Sequence, residues 1–278
     1  MIVRSVTGRL WRWYLLIALG VFGGQSLAHA ESTINSVSVA VATNFVTTLK
    51  ALSEDFATID SGKILISAGS TGKLYAQIRQ GAPYDIFLAA DQQRPKLLEQ
   101  HGLAVPDSRF TYAQGALVLW QPNTAKPRAT GYEENPTTQR AQIKQWLRGA
   151  PSIALANPRL APYGFAAQEV LHNLHITQSM SQRQVMGENI GQTFSLVATG
   201  NARVGFVAAA QMLEQSQPID TYLIIPSDLH TPILQDGVFL KFGANNKAAE
   251  RFFYYLTSSR AQEIIRNAGF LKPDLKRQ

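Results

Sequence analysis

Small hydroxyl, amide and glycine residues stand at three places where the hydropathy pattern changes from strand to helix. The three segments are VAVATNFV at 39–46, SAGSTGKLY at 67–75 and ANPRLAPYGFAA at 156–167. The first N–H groups of a helix have no partner within the helix, and the helix dipole adds partial positive charge there. Such helix ends can hold an oxyanion without a cationic side chain. If the three segments converge, they can enclose one small dianion.

The three segments contain no aspartate or glutamate between the strand and the first helical turn. A carboxylate there would repel an anion, whereas a site made only of donors favours a fully deprotonated one. Hydrogen phosphate needs an acceptor for its own proton, so such a site disfavours it. Sulfate carries no proton, and only the size of the site would separate it from a larger tetrahedral anion.

The second segment also resembles two catalytic motifs. A phosphate-binding P-loop would need glycine at the position of Ser67 and a hydroxyl residue at the position of Leu74, so a nucleotide site is excluded. The run at 68–72 resembles a nucleophile elbow centred on Ser70, with His230 downstream in the order of a serine hydrolase. No acidic companion motif is recognisable, so a periplasmic serine hydrolase is kept only as a remote alternative.

Four further polar residues are expected to bind neither a metal nor the ligand directly. His172 and His175 lie three apart, but without acidic partners they indicate a solvated helix face rather than a metal site. Lys73 is expected to attract anions from the rim of a cleft rather than bind one directly. Asp91 follows a predicted strand and is expected to cap the next helix.

The elements that must position these segments alternate between strand and helix, which indicates α/β lobes with parallel strands. Expected strands are 36–42, 63–69, 84–90, 111–120, 152–157, 184–190, 202–209, 222–226 and 238–243. Expected helices are 45–59, 74–81, 96–102, 142–147, 165–174, one ending near 200, and a terminal packing helix at 247–267. Open α/β sheets bind ligands beyond the carboxyl ends of their strands, so two facing lobes would form a cleft.

Composition restricts the class of protein further. The chain has no cysteine, which excludes disulfides, thiolate catalysis and cysteine-based metal sites. It lacks the clustered basic and aromatic residues that nucleic-acid binding needs. Three arginines precede an apolar run at 14–24 and then Ala28-His29-Ala30, a pattern typical of a secretory signal peptide cleaved after Ala30. The apolar run is shorter than the ~20 residues of a membrane span.

Several collinear runs resemble the periplasmic molybdate-binding proteins of ABC transporters. They are VAVATNF at 39–45, and the runs at 70–91, 156–171, 187–207 and 248–270. The resemblance implies a type II periplasmic binding protein, with two α/β lobes whose central mixed sheets are joined by a two-strand hinge. It also implies capture of molybdate, and usually tungstate, for delivery to an ABC permease, with no cofactor and no catalysis.

The resemblance implies anion contacts in the first lobe. The family has a hydroxyl residue directly after strand one, where this chain has Thr43 and Asn44. It has a serine at the start of the next helix, where this chain has Ser70 and Thr71. Molybdenum would be bound only as the oxyanion, through these residues and their counterparts in the second lobe.

In the second lobe the implied contacts are the backbone N–H groups of Tyr163 and Ile190. Many members add a tyrosine hydroxyl in the last strand of that lobe, but this chain has Ala208 there. Tyr163 stands where other members have a small residue, so its phenol offers a replacement donor from the opposite direction. This difference marks a variant subgroup of the site.

The resemblance also implies how the chain is organised. Residues 1–30 form the signal peptide, 31–113 and 226–278 form lobe 1, and 114–225 form lobe 2. The expected protein is a periplasmic monomer whose partners are a small oxyanion and an inner-membrane ABC permease, with no nucleic acid. The leading alternative is a carrier of the sulfate or thiosulfate class on the same fold.

Overall fold

The computed structural model describes residues 36–122 and 135–273, with the side chain of Pro136 left out. The expected signal peptide and its cleavage site after Ala30 lie outside the described residues, as do 123–134 and 274–278. Within the described ranges, no helix combines the length and the apolar character that crossing a membrane would require.

Strands and helices alternate along most of the chain. The strands are β1 (Ser36–Ala42), β2 (Lys63–Gly69), β3 (Ile86–Leu88), β4 (Phe110–Gly115), β5 (Leu117–Trp120), β6 (Ile153–Ala156), β7 (Gln184–Gly187), β8 (Val204–Ala208), β9 (Tyr222–Ile224) and β10 (Ile233–Phe239). The helices are α1 (Val46–Phe56), α2 (Thr71–Arg79), α3 (Gln93–Gln100), α4 (Pro136–Gly149), α5 (Pro162–Asn173), α6 (Thr177–Met180), α7 (Ile190–Ala198), α8 (Ala209–Glu214), α9 (Lys247–Leu256) and α10 (Ser259–Asn267).

The strands form two mixed sheets of five strands each. The first has the order β2-β1-β3-β10-β4, and the second has the order β7-β6-β8-β5-β9. In the first sheet β2, β1 and β3 run parallel, and β10 pairs antiparallel with β3. In the second sheet β7, β6 and β8 run parallel, and β5 pairs antiparallel with β8. Apolar side chains cover both faces, as expected for sheets enclosed by helices. The buried apolar side chains form four clusters, because each sheet is covered on both faces.

The chain crosses between the sheets twice in the described residues. The prediction of one alternating strand at 111–120 is wrong: β4 ends at Gly115 in the first sheet, and β5 begins at Leu117 in the second. The return crossing lies between β9 and β10. Because a single residue separates β4 from β5, the alternating pattern continues through the first crossing and hides it.

Two other predicted elements differ in the structure. The terminal helix is divided into α9 and α10, because Ser258 takes up extended backbone and its hydroxyl accepts a hydrogen bond from the N–H of Ala261 at 3.2 Å. The expected strand at 238–243 instead begins at Ile233 and ends at Phe239. The packing role of the terminal segment is confirmed, since Phe252 and Ile265 are buried in the core.

The centre of β10 carries two adjacent buried polar residues, Gln235 and Asp236. The Asp236 carboxylate accepts hydrogen bonds from Arg109 at 2.5 Å and from the Thr111 hydroxyl at 2.7 Å. A buried carboxylate needs such partners to offset its desolvation. Asp236 therefore joins β10 to β4, while Gln235 faces a different set of polar groups.

Candidate functional site

A small cavity lies where the carboxyl ends of parallel strands from both sheets meet the starts of the helices that follow them. It contains about 190 Å³ of space between its lining atoms, part of it open to solvent. Its described lining consists of Ala42, Thr43, Asn44, Gly69, Ser70, Thr71, Ala90, Ala161, Pro162, Tyr163, Asn189 and Ile190. The structure thus brings together all six residues that the sequence indicated. They come from the three strand-to-helix segments at 39–46, 67–75 and 156–167 and from the GENI turn at 187–190.

All the described lining residues are neutral. Their polar groups are hydroxyls, amides and backbone N–H groups, which suits a ligand that accepts many hydrogen bonds. An anion held here would be bound by dipoles rather than by a counter-ion, as at other helix N-termini.

Ser70 is the N-cap residue of α2, yet its side chain does not cap the helix. Its side chain is buried, with 2% of the residue exposed, and its Oγ has no hydrogen-bond partner in the described structure. A serine at this position usually accepts from the second or third N–H of its helix. The Ser70 hydroxyl is therefore available to a ligand in the cavity.

Thr71 is also buried, and its Oγ1 accepts a hydrogen bond from the backbone N–H of Ala90 at 3.1 Å. Because the hydroxyl oxygen is the acceptor in that bond, its own proton can point elsewhere. This contact connects the start of α2 with the end of β3 and fixes the Thr71 side chain beside the cavity.

Three helices begin at the cavity with unpaired backbone donors. The first-turn N–H groups of Thr71, Tyr163 and Ile190 have no acceptor among the residues that the structure describes. First-turn N–H groups have no intrahelical partner, so a ligand or water must satisfy them when they are buried. Three helix dipoles also add partial positive charge at this point.

Thr43 bridges the two sheets instead of facing the cavity alone. Its hydroxyl donates a hydrogen bond to Asn189 Oδ1 at 3.3 Å. The same hydroxyl accepts a hydrogen bond from the backbone N–H of Gly191, also at 3.3 Å. Asn189 also caps α7 by accepting from the N–H of Gln192 at 2.9 Å. These contacts position the start of α7, and with it the N–H of Ile190.

Asn44 is 4% exposed, and its amide faces a buried polar cluster behind the cavity. Its Nδ2 donates to Gln235 Oε1 at 2.9 Å, while its Oδ1 is buried without a hydrogen-bond partner. Gln235 Oε1 also accepts from the Tyr112 hydroxyl at 3.1 Å. Gln235 is thus the residue that orients the Asn44 amide.

The Tyr163 phenol lies in the same cluster. Its oxygen accepts a hydrogen bond from Gln235 Nε2 at 3.2 Å and lies so close to Gly115 that a Cβ there would overlap it. Neither Gln235 nor Gly115 lines the cavity. Burial raises the pKa of Tyr163 above its usual value, although the amides of Gln235 and Asn44 act in the opposite direction. This placement does not favour the hypothesis that the phenol contacts an anion directly.

Ala208 ends β8 and is not part of the cavity lining. The Gln211 side chain lies next to it: Oε1 accepts from the N–H of Ala208 at 3.0 Å, and Nε2 donates to the Ile190 carbonyl at 3.3 Å. Gln211 therefore connects β8 with the start of α7. It supports the side of the cavity formed by the second sheet, at the position where many members of the resembled family have a tyrosine.

The rim of the cavity carries charges that do not enter it. Lys73 forms an ion pair with Glu188 at 2.9 Å, with both side chains about half exposed, so it contacts another protein group rather than acting as a free cation. Pairs this exposed contribute at most about 1 kcal/mol. Asp91 accepts from the N–H of Arg94 at 2.9 Å, which confirms its expected capping role.

The geometry does not favour catalysis or metal binding in the described residues. His230 lines a larger and mostly apolar cavity, with about 1320 Å³ of space between its lining atoms by the same measure, whereas Ser70 lines the small one. His172 and His175 are both exposed. Among the described side chains, no group of three or more metal-ligating residues is arranged to hold an ion.

Sequence reasoning missed four residues that lie behind or beside the cavity and support its lining: Gln235, Tyr112, Gly115 and Gln211. The only usable signal was the pair Gln235-Asp236 inside an otherwise apolar run, since polar residues in a buried strand need partners. The partners of Gln235 come from distant parts of the chain, so sequence spacing could not identify them.

Comparisons with known proteins bear on the family and the fold of this chain. A family model described as bacterial extracellular solute-binding protein matches residues 37–271. The Azotobacter vinelandii protein named molybdate-binding protein ModA is 39% identical over 92% of this chain and 96% of its own length. ModA of Rhodobacter capsulatus is also 39% identical, over 91% and 94%. A solved A. vinelandii periplasmic molybdate-binding protein superposes with a TM-score of 0.76 at 36% identity, covering 86% of this chain and all of that one. These matches confirm the expected type II periplasmic binding protein fold.

Proposed function

Because this chain belongs to the bacterial extracellular solute-binding proteins, and within them to the molybdate-binding proteins, we propose that it captures molybdate in the cavity described above. The observation that carries this proposal is the set of unpaired donors at three helix N-termini around one neutral cavity. The protein is a binding protein and not an enzyme. Its task is to hold the anion reversibly and present it to a membrane permease.

The available donors match the needs of a desolvated dianion. They are the hydroxyls of Ser70 and Thr71 and the N–H groups of Thr71, Tyr163 and Ile190. Asn44 Nδ2 donates to Gln235 in this structure and adds a sixth donor only if its amide turns toward the ligand. A hydrogen bond from a neutral donor to a charged acceptor contributes roughly 1.5–3 kcal/mol. About six such bonds can offset a substantial part of the desolvation cost, but only if both sheets contribute donors.

Tungstate is the second ligand that we propose. It has the same tetrahedral geometry and charge as molybdate, and nothing in a site made of neutral donors distinguishes the two metals. Sulfate has the same shape and charge but is smaller, so only the spacing of the donors would separate it from molybdate.

Isothermal titration calorimetry of the protein with molybdate, tungstate, sulfate, phosphate and thiosulfate tests this function. We expect one equivalent of molybdate or tungstate to bind and no product to form. Heat with sulfate or thiosulfate but with neither group-six oxyanion would contradict the proposal and favour the sulfate-class alternative.

We propose that the two sheets are the centres of two lobes, with boundaries near 113/114 and 225/226, that close on the anion like a hinge. Two contacts that cross between the sheets support a closed arrangement. The N–H of Gly72 donates to the carbonyl of Leu160 at 2.8 Å, and Lys73 pairs with Glu188. The two crossing segments would act as the hinge strands.

We also propose a periplasmic monomer that delivers its ligand to an ABC permease in the inner membrane. Periplasmic relatives support the location. Cleavage after Ala30 is part of this proposal, and sequencing the N-terminus of the exported protein tests it.

The Ser70→Ala variant is expected to bind molybdate about 10- to 100-fold more weakly, because a charged acceptor loses one buried donor. The stability of the ligand-free protein should not fall, since the lost hydroxyl has no partner there. Calorimetry and thermal melting with and without molybdate measure the two effects. Ser195→Ala, at an exposed position of α7, is the control. An unchanged affinity in Ser70→Ala would remove this residue from the site.

A further inference from the structure

Four buried polar side chains form a cluster directly behind the cavity: Asn44, Tyr112, Tyr163 and Gln235. Gln235 is the centre of the cluster and is fully buried. Its Oε1 accepts from Asn44 Nδ2 and from the Tyr112 hydroxyl, and its Nε2 donates to the Tyr163 oxygen. The Tyr112 hydroxyl also lies 2.9 Å from the Ala89 carbonyl.

Two groups remain unsatisfied in this arrangement. Asn44 Oδ1 is buried without a partner, and no described residue accepts the Tyr163 hydroxyl proton. Buried polar groups without partners cost free energy, so this arrangement is not the best that the four side chains can make. Asn44 lines the cavity, and its Oδ1 is an unpartnered acceptor in a residue that borders groups able to donate.

Rotation of both terminal amides by 180° gives every polar group of the cluster a partner except Asn44 Nδ2, which is left for a ligand. Such a rotation exchanges the oxygen and nitrogen of an amide without moving the rest of the side chain. Gln235 Nε2 would then donate to Asn44 Oδ1 and to the Tyr112 oxygen, whose own proton goes to Ala89. Gln235 Oε1 would accept the Tyr163 proton, and Asn44 Nδ2 would be free to donate.

We propose that Gln235 is a positioning residue that sets the Asn44 amide so that its Nδ2 points at the bound oxyanion. This inference rests on the proposed function, because it requires an anion in the cavity. In the anion-bound state the hydrogen bonds run from Tyr163 to Gln235, from Gln235 to Asn44 and from Asn44 to the ligand. The Tyr163 phenol supports the donor of Asn44 through this chain instead of touching the anion.

Substitution of Gln235 by glutamate and by methionine separates this role from a structural one. An ionised glutamate has only acceptors, so it holds Asn44 Nδ2 toward itself and leaves Oδ1 facing the anion. We expect Gln235→Glu to raise the Kd for molybdate at least about tenfold at pH 8.5. Methionine has a similar length and no strong acceptor, so Asn44 can still turn its Nδ2 to the ligand. Gln235→Met should lower the Tm but lose less affinity than Gln235→Glu.

Gln114→Glu is the matched control for added charge. Position 114 lies on β4, next to the register partner of Gln235. It lines the larger, mostly apolar cavity that also contains His230, and not the small one. We expect its Kd for molybdate to stay within about threefold of wild type, because the charge does not contact Asn44.

A spectroscopic signal reports the amide directly. In ¹⁵N-labelled protein, the side-chain NH₂ resonances of Asn44, identified by their absence in Asn44→Ala, should shift on addition of molybdate in wild type but not in Gln235→Glu. Equal affinities of wild type and Gln235→Glu, or a loss in Gln235→Met as large as in Gln235→Glu, would overturn the proposed role of Gln235. Wild-type protein that binds no molybdate would instead contradict the proposed function.

Discussion

The Asn44→Asp variant is expected to lose molybdate binding by at least about 100-fold while it keeps its fold. The substitution removes a donor to a charged acceptor, which is worth roughly 1.5–3 kcal/mol. It also places a negative charge beside a dianion inside a cavity whose lining is neutral, where repulsion is poorly screened. The fold should survive because Gln235 can turn its Nε2 toward the new carboxylate.

Calorimetry gives the affinity of this variant, and circular dichroism with thermal melting shows whether it is folded. Asn201→Asp makes the same chemical change at an exposed position whose side chain donates to the Thr199 hydroxyl, and it should bind as wild type does. Retention of wild-type affinity by a folded Asn44→Asp protein would show that the anion does not bind between these helix ends.

The Gly164→Ala variant is expected to lose at least about 3 kcal/mol of stability, at the upper end of the usual range for overpacking. A Cβ at position 164 would overlap the carbonyl oxygen of Ala156, which is backbone and cannot rotate away as a side chain would. Gly164 lies in the first turn of α5, so the helix would have to move away from β6. The same movement would displace the N–H of Tyr163 from the cavity.

Urea or thermal unfolding measures this loss, and molybdate titration of any folded fraction measures the effect on the site. Gly149→Ala is the matched control, because a Cβ there would meet no atom within 4 Å and Gly149 ends α4. We expect Gly149→Ala to be neutral or to stabilise by up to about 1 kcal/mol, since alanine is the better helix former. Equal stability of the two variants would mean that α5 does not pack on β6 as described.

Much of the fold could be predicted because it depends on local patterns. β1 and β2 were expected at 36–42 and 63–69, and the structure has them at those residues. Each is a run of β-branched and small residues that ends at glycine or at a hydroxyl-rich turn, so both boundaries are marked in the sequence. Helix starts were less accurate: α2 begins at Thr71 rather than 74, because the apolar periodicity begins only after the first turn.

The candidate site could also be predicted in its composition. All six residues implied by the resemblance line one cavity. Ser, Thr and Asn at a strand-to-helix change indicate a helix N-terminus, and the carboxyl ends of parallel strands lie on one edge of a sheet. The sequence therefore determined which residues can face a ligand and that their groups are neutral donors.

Only the tertiary structure decided what those residues do. Ser70 and Asn189 are both N-cap residues, yet Asn189 caps its helix and Ser70 does not. The phenol of Tyr163 was one hypothetical donor to the anion, but Gln235 and the absence of a side chain at Gly115 hold it in the cluster behind the cavity. Residues 115, 163 and 235 come from three different elements. Their contacts depend on how the two sheets pack, and packing between distant segments leaves no periodic signal in the sequence.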